Sequence, residues 1–388
     1  MGRVAIISVD GHVKAPREGY RDYIDPKWRD AFDDWVKSFE GMPDGFVRPE
    51  FGEDAQWNPK RRLADLETQG VAAEILFTNG APFAAGRVDF APDPEQTRQA
   101  NMAFNRWVID FCSEAPDRLH GQALVSFDDV DQAVKDIRWA KEQGLVGILM
   151  PPLYPGSKFF FDPALDPIWA ACQDVCLPLS QHGGTGAPDY QPQIFAAFMV
   201  LAAEHSFFSG RSLWQLILGG VFDRFPDLKI AFIETEAWWI APMIEMLDGR
   251  ERMADDWTDF AESLRQAKPY SRLPSEYWES NCYAGISPFH PAQLSAGDLS
   301  GARGAGERFR IHSDNAMFGV DYPHPESIFP RVIENARLLA AMPTVTEADA
   351  RKVLYENAAE VYHLDLAALA PQFDRVAFEL GEAAAVPA

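Results

Sequence analysis

The sequence predicts an α/β fold, a (β/α)8 TIM barrel with long inserted loops at the C-terminal face. Three observations point there. Short, nearly all-apolar runs recur eight times, helical patterns separate most neighbouring runs, and 388 residues suffice for one large barrel with insertions. An open, doubly wound sheet is the alternative. No Gly-x-Gly-x-x-Gly turn follows a strand, which weakens a dinucleotide-binding reading.

The elements follow in order. The first run covers residues 4–9, and the second, 73–77, follows an amphipathic stretch over 61–69. The third, 121–125, follows a helix predicted over 101–115. The fourth, 146–150, follows a helix over 130–143 and the stop signal Gly144. The fifth, 177–182, follows a helix over 167–175; the sixth, 229–234, follows one over 213–222. The seventh, 282–284, is weak, and the eighth, 316–321, precedes helices over 325–341 and 347–354. The pattern predicts one barrel domain over 1–365, with insertions near 14–60, 183–212 and 285–312, and a C-terminal extension over 366–388. The first insertion, rich in aromatics, acids and prolines, is expected to cover the barrel mouth. Residues 295–306 are expected to be the most mobile part, and 382–388 to be frayed.

Composition narrows the function. Hydrophobic residues make up 47% and charged residues 24%, the proportions of a globular chain rather than a disordered one. The net charge of −23 repels phosphate backbones and anionic lipid, so no nucleic acid and no membrane surface is expected as partner. No apolar run reaches the roughly 18 residues that span a bilayer. The N-terminus reads directly as a strand and not as a signal peptide, so a cytoplasmic location is expected. Of the four cysteines, Cys172 and Cys176 are expected to share one helix face. Two more soft ligands for zinc are not visible beside them, and reduced, mostly buried thiols are expected.

Three polar strand ends carry the chemistry. Asp10 and His12 close the first strand in Asp10-Gly11-His12, and alternate residues of a strand point the same way. His182 ends the fifth strand before two glycines that leave room beside its ring. Asp321 ends the eighth, where a carboxylate is costly to bury without a cation or donors. Each has an ordinary explanation by itself: a strand-end turn, a carbonyl-bonded histidine, a helix cap. Together they are spaced by 172 and 139 residues, four and three βα units, or about 45 residues per unit. All three lie at strand C-terminal ends, where barrel active sites are built, and imidazole with carboxylate suits a divalent transition metal.

The chain resembles the amidohydrolase superfamily, specifically the amidohydrolase-related group that contains aminocarboxymuconate semialdehyde decarboxylase and γ-resorcylate decarboxylase. The resemblance rests on Asp10-Gly11-His12; Arg62-Leu63-Ala64-Asp65-Leu66; Pro116-Asp117-Arg118-Leu119; His182-Gly183-Gly184; Phe222-Asp223-Arg224-Phe225-Pro226; Gly319-Val320-Asp321-Tyr322-Pro323-His324; and Glu356-Asn357-Ala358-Ala359. It implies one divalent metal, zinc first and manganese second, on Asp10, His12, His182 and Asp321. Two departures stand out. The first-strand position is more often His or Glu in the group, and the shorter Asp10 has less reach. At the sixth strand, where several decarboxylases carry a catalytic His, alignment selects Glu234 as ligand, base or supporting carboxylate. His205 and His290, in long loops, are alternative imidazoles; His324 is the better candidate for a site histidine. Asp321, Glu234 and His324 are therefore the catalytic candidates.

Arg211, ahead of the sixth unit's helix, is placed to fork onto a substrate carboxylate. Trp35, Trp57, Phe83, Phe159, Phe160 and Phe161 are candidates to line a pocket for a planar substrate, although core packing explains most aromatics. The group implies a small organic substrate and a homo-oligomer, dimer or tetramer. Three functions stay open: non-oxidative decarboxylation of an aromatic or unsaturated acid; hydrolysis of a lactone, amide or C–C bond by a metal-activated water; and small-molecule binding without catalysis.

Overall fold

The computed structural model describes residues 2–41, 50–83, 93–153, 156–188, 195–253, 266–295, 298–299 and 308–381. Eight parallel strands, here β1 to β8, pair in sequence order: Ile6–Val13, Val71–Thr78, Leu119–Leu124, Gly147–Leu149, Leu179–His182, Ile230–Ile233, Cys282–Ile286 and Ala316–Phe318. The sheet closes from β8 back to β1 through a bridge between Gly11 and Tyr322 and a hydrogen bond from Asp321 N to Asp10 O (3.0 Å). This is the expected barrel. Every residue of β1 is buried, as a parallel strand covered on both faces requires.

The strand run at 4–9 divides. Arg3–Val4 leaves the barrel to pair antiparallel with Phe378–Glu379, and β1 proper continues to Val13. The weak seventh run is a full strand, entered directly from the helix Pro274–Asn281. Helices surround the barrel, several started by carboxylate or amide caps: Asn58 accepts from Arg61 N, Asp93 from Gln96 N, and Asp129 from Gln132 N. The helix Leu366–Val376 packs beneath the first two strands, with Val376 against Ala5 and Ala72.

Two expectations are corrected. The helix preceding β6 does not start near 213 but runs from Phe195 to Leu218, so much of the stretch expected as a connection is helical. His205 and Arg211 therefore sit within a helix and not in or before a loop. Cys172 and Cys176 do not share a helix face. The helix ends at Asp174, Cys172 is buried, and Cys176 lies beyond the end, exposed, at φ 52°. The segment 382–388 and most of 295–306 lie outside the described residues.

The described part of the insertion over 14–60 packs on the rim. Tyr20 donates to Gly80 O just after β2, and Phe51 stacks on Tyr322 just after β8. The barrel floor holds a buried polar chain: Gln122 Nε2 donates to Ser180 Oγ (3.0 Å), which lies 3.1 Å from Tyr362 OH.

Candidate metal centre

Four strand ends deliver one cluster. β1 supplies Asp10 and His12, β5 supplies His182, the residue after β6 is Glu234, and the turn after β8 carries Asp321 and His324. The local fold explains why small residues flank them. A Cβ on Gly11 would lie 2.2 Å from Glu74 Oε1, and one on Gly183 would lie 2.0 Å from Glu234 O. Glycine at both positions lets neighbouring strands close in while the ligating side chains face the mouth. Asp321 and Glu234 hold positive φ, 60° and 52°, a conformation costly for residues with a Cβ and frequent at functional sites.

The geometry is tight. His12 Nε2 lies 3.2 Å from Asp10 Oδ1, 3.3 Å from Asp321 Oδ1 and 3.5 Å from Glu234 Oε2. His182 Nε2 lies 3.4 Å from Asp10 Oδ1 and 3.3 Å from Glu234 Oε2. His324 stacks on His12 at 3.8 Å between ring centres, with Nδ1 2.8 Å from Asp321 Oδ1 and Nε2 3.0 Å from Asn79 Oδ1. Both nitrogens of His12, both carboxylate oxygens of Asp321, and Glu234 Oε2 are buried without a hydrogen bond of acceptable geometry. Buried lone pairs converging at this spacing are what a cation would satisfy.

Electrostatics agrees with that fit. Burial opposes ionisation of Asp10, yet the His12 and His182 imidazoles outweigh it and hold the carboxyl well below the usual range. Burial would lower His12, but Asp10, Asp321 and Glu234 lift it well above an ordinary histidine. Burial pushes Asp321 up to about 7, against His12 and reinforced by the charge of Asp10. Burial and the neighbouring His12 charge bring His324 down to about 3. Two causes compete: burial drives Asp321 and His324 towards their neutral forms, while Asp10, Asp321 and Glu234 crowd His12 and favour positive charge there.

The donors form two overlapping quartets, Asp10–His12–His182–Glu234 and His12–Glu234–Asp321–His324. Both need His12, whose Nε2 has one lone pair, so the set suits one ion and not two. Asp10, although shorter than Glu, is within reach of the other donors: its Oδ1 lies 3.2 Å from His12 Nε2 and 3.4 Å from His182 Nε2.

Supporting contacts hold the donors in place. Ser287 Oγ donates to Asp10 Oδ2 at 2.5 Å, and Phe77 packs 4.7 Å from the His182 ring. Arg62, fully buried, donates to Glu74 Oε2 (2.8 Å), His12 O (3.0 Å) and Tyr322 O (2.9 Å), tying the ends of β1 and β8 together. Burial raises Glu74, with Arg62 pulling the other way. Ser287 and Asn79 were not singled out in the sequence. Each follows the last residue of a strand, which is the signal that marks them.

The remaining candidates scatter. Arg211 is half-buried with no carboxylate partner among the described residues; its Nε donates to Phe208 O, and its Nη2 comes near Gly186, in the turn after β5. His205 bonds Ala202 O within its own helix, and His290 accepts from Ala292 N as a local cap, so neither joins the cluster. Phe159 and Phe161 stack on each other at the surface, and Trp35 packs on Phe32 and Phe83. Phe160 is buried, while Trp57 is exposed.

Comparison with known proteins gives a consistent result. The family model described as Amidohydrolase matches residues 9–364. γ-Resorcylate decarboxylase from Rhodococcus jostii (strain RHA1) is 24% identical over 319 residues, covering 78% of this chain and 87% of the relative. The crystal structure of 5-carboxyvanillate decarboxylase from Sphingomonas paucimobilis superposes with a TM-score of 0.65 at 21% identity, covering 93% of this chain and 99% of that one. Dihydroxybenzoic acid decarboxylase from Polaromonas sp. JS666, crystallised with bound manganese and the inhibitor 2-nitroresorcinol, gives a TM-score of 0.62 at 17% identity, over 93% and 97% of the two chains. No helix among the described residues is long and apolar enough to cross a membrane.

Proposed function

From the premise that this chain belongs to the amidohydrolase family, we propose that it is a metal-dependent, non-oxidative decarboxylase of a small aromatic carboxylic acid. The observation that carries the reading is the convergence of Asp10, His12 and His182 with Glu234, and of His12 and Glu234 with Asp321, with atoms of His12, Asp321 and Glu234 that no hydrogen bond uses. The similarity to γ-resorcylate decarboxylase supports the substrate class.

In this reading Asp10, His12, His182 and Asp321 hold the cation, and Ser287 orients Asp10 from behind. When bound, the cation supplies Lewis acidity that draws electron density from the acid's oxygens. Arg211, whose Nη2 lies near Gly186 in the turn after β5, pairs with the carboxylate of the incoming acid. The overall change breaks the bond between ring carbon and carboxylate carbon and forms a C–H bond: ArCOO⁻ plus H⁺ gives ArH plus CO2. The Asp321–His324 pair passes that proton to the ring carbon, and Asn79 fixes the imidazole from its other nitrogen. Glu234, facing both His12 and His182, balances charge beside them.

Both zinc and manganese suit a donor set of two imidazoles and two carboxylates. Glu234 also supports a second reading, hydrolysis, because a carboxylate there is placed to take a proton from water. Headspace CO2 from a panel of hydroxybenzoic acids tests the choice. Stoichiometric CO2 is expected; carboxylate product from a lactone or amide panel with no CO2 would overturn decarboxylation in favour of hydrolysis. As in the family, a homo-oligomer is proposed, and sedimentation of the purified chain checks it.

A further inference from the structure

We propose that the acid handled at this centre carries a neutral apolar substituent, a second ring or an extended alkyl group, which lodges in a chamber over β2 to β5. The inference rests on the decarboxylase reading for the acid itself and on separate observations for the substituent.

The chamber has a volume of about 560 Å³. Cavities of roughly 300–1,000 Å³ take ligands of drug size, so a single-ring acid would leave most of this one empty. Its wall is built from strand ends at the same face as the metal centre: Gly80 after β2, Val125 and Phe127 after β3, Met150 after β4. Val125, Phe127 and Met150 are buried apolar side chains, and Ala100, Phe160 and Leu165 continue the wall behind them. The chain itself leads from the centre to the chamber in the turn after β5. His182 belongs to the centre, and Gly184 to Ala187 line the chamber. A molecule held at His182 therefore extends along this turn into the chamber.

Charge decides what part of the molecule enters. Among the described lining residues the charged side chains are Asp128 and Lys158, one of each sign and both exposed. An anionic substituent would be desolvated against the buried wall of Val125, Phe127 and Met150, which offers it no partner, whereas an apolar one loses nothing there. The carboxylate stays at the cluster, and the apolar end goes to the wall that matches it.

Isothermal titration on the metal-loaded protein tests this with four probes: 2-hydroxybenzoate, 4-phenyl-2-hydroxybenzoate, 4-carboxy-2-hydroxybenzoate and uncharged biphenyl. The phenyl acid is expected to bind at least about tenfold tighter than 2-hydroxybenzoate, the gain for burying one ring. The additional carboxylate is expected to give no gain. Ser126→Trp and Ala81→Trp, which fill the chamber from two sides, are expected to erase the phenyl advantage while metal content and melting temperature hold. Biphenyl separates the chamber from the chemistry. If biphenyl binds the natural protein and not the Trp variants, while no acid releases CO2, the chamber stands and decarboxylation falls. If CO2 is released but the phenyl acid binds no tighter and biphenyl not at all, the chamber proposal is overturned and decarboxylation stands.

Discussion

The two ends of the barrel treat buried polar groups in opposite ways. At the floor, Gln122, Ser180 and Tyr362 form a hydrogen-bonded chain, with the amide oxygen of Gln122 left over. At the mouth, five atoms of His12, Asp321 and Glu234 are buried with no hydrogen bond among the described residues. Folding alone favours the floor's solution, since an unsatisfied buried polar group costs about 1–3 kcal/mol and a charged one more. The same chain that pairs its polar groups at one end leaves them facing each other at the other. A cation among these atoms, as proposed above, would offset that cost at the mouth, whereas the floor needs none.

Mutations sharpen this contrast, beginning at the mouth. His182→Ala or Asp321→Ala is expected to lower kcat/KM for the acid substrate by about three orders of magnitude or more, since Lewis-acid and orienting contributions vanish together. Circular dichroism should remain that of the folded barrel; undiminished turnover would remove the residue from the site. The Arg62–Glu74 pair lies between the two regimes, satisfied but charged and fully buried. Arg62→Met leaves Glu74 alone and is expected to cost about 3–5 kcal/mol in urea unfolding. Adding Glu74→Leu should recover much of that loss, and a double variant no better than the single would show that the pair is not the cause.

Smaller effects follow from supporting contacts. Ser287→Ala removes the donor behind Asp10 and is expected to weaken metal affinity about ten- to a hundredfold, measured by competition with a chelating dye. Tyr362→Phe, at the floor, deletes a hydrogen bond to Ser180 and should cost about 1 kcal/mol of stability with no change in metal affinity. A metal effect from the floor variant as large as that from Ser287→Ala would break the comparison.

The sequence and the structure meet most closely where position carries chemistry. Asp10, His12 and His182 occupy strand ends, and the period-2 direction of strands together with the barrel's unit length brings them to one face. Asp321 joins them by a different route than a strand end. β8 stops at Phe318, and the turn that follows places Asp321 through its N–H bond to Asp10 O. The helix Phe195–Leu218 was hard to delimit because it is apolar on most sides, so periodicity has no polar face to find. Ser287 and Asn79 are small polar residues whose roles depend on which side chain they meet across the barrel, information that spacing along the chain does not hold. Arg62 was legible as part of a motif, but its ties to backbone carbonyls fifty and 260 residues away required the fold.

The central claim is that the imidazoles and carboxylates at the mouth hold a single divalent ion. Metal analysis by mass spectrometry, on protein stripped with chelator and reloaded with manganese or zinc, tests it most directly. One equivalent per chain is expected, with a melting temperature raised by the ion through ligand linkage and loss of both in the His12→Ala protein. A stripped protein that takes up no ion, or binds two equivalents through the same residues, would contradict it.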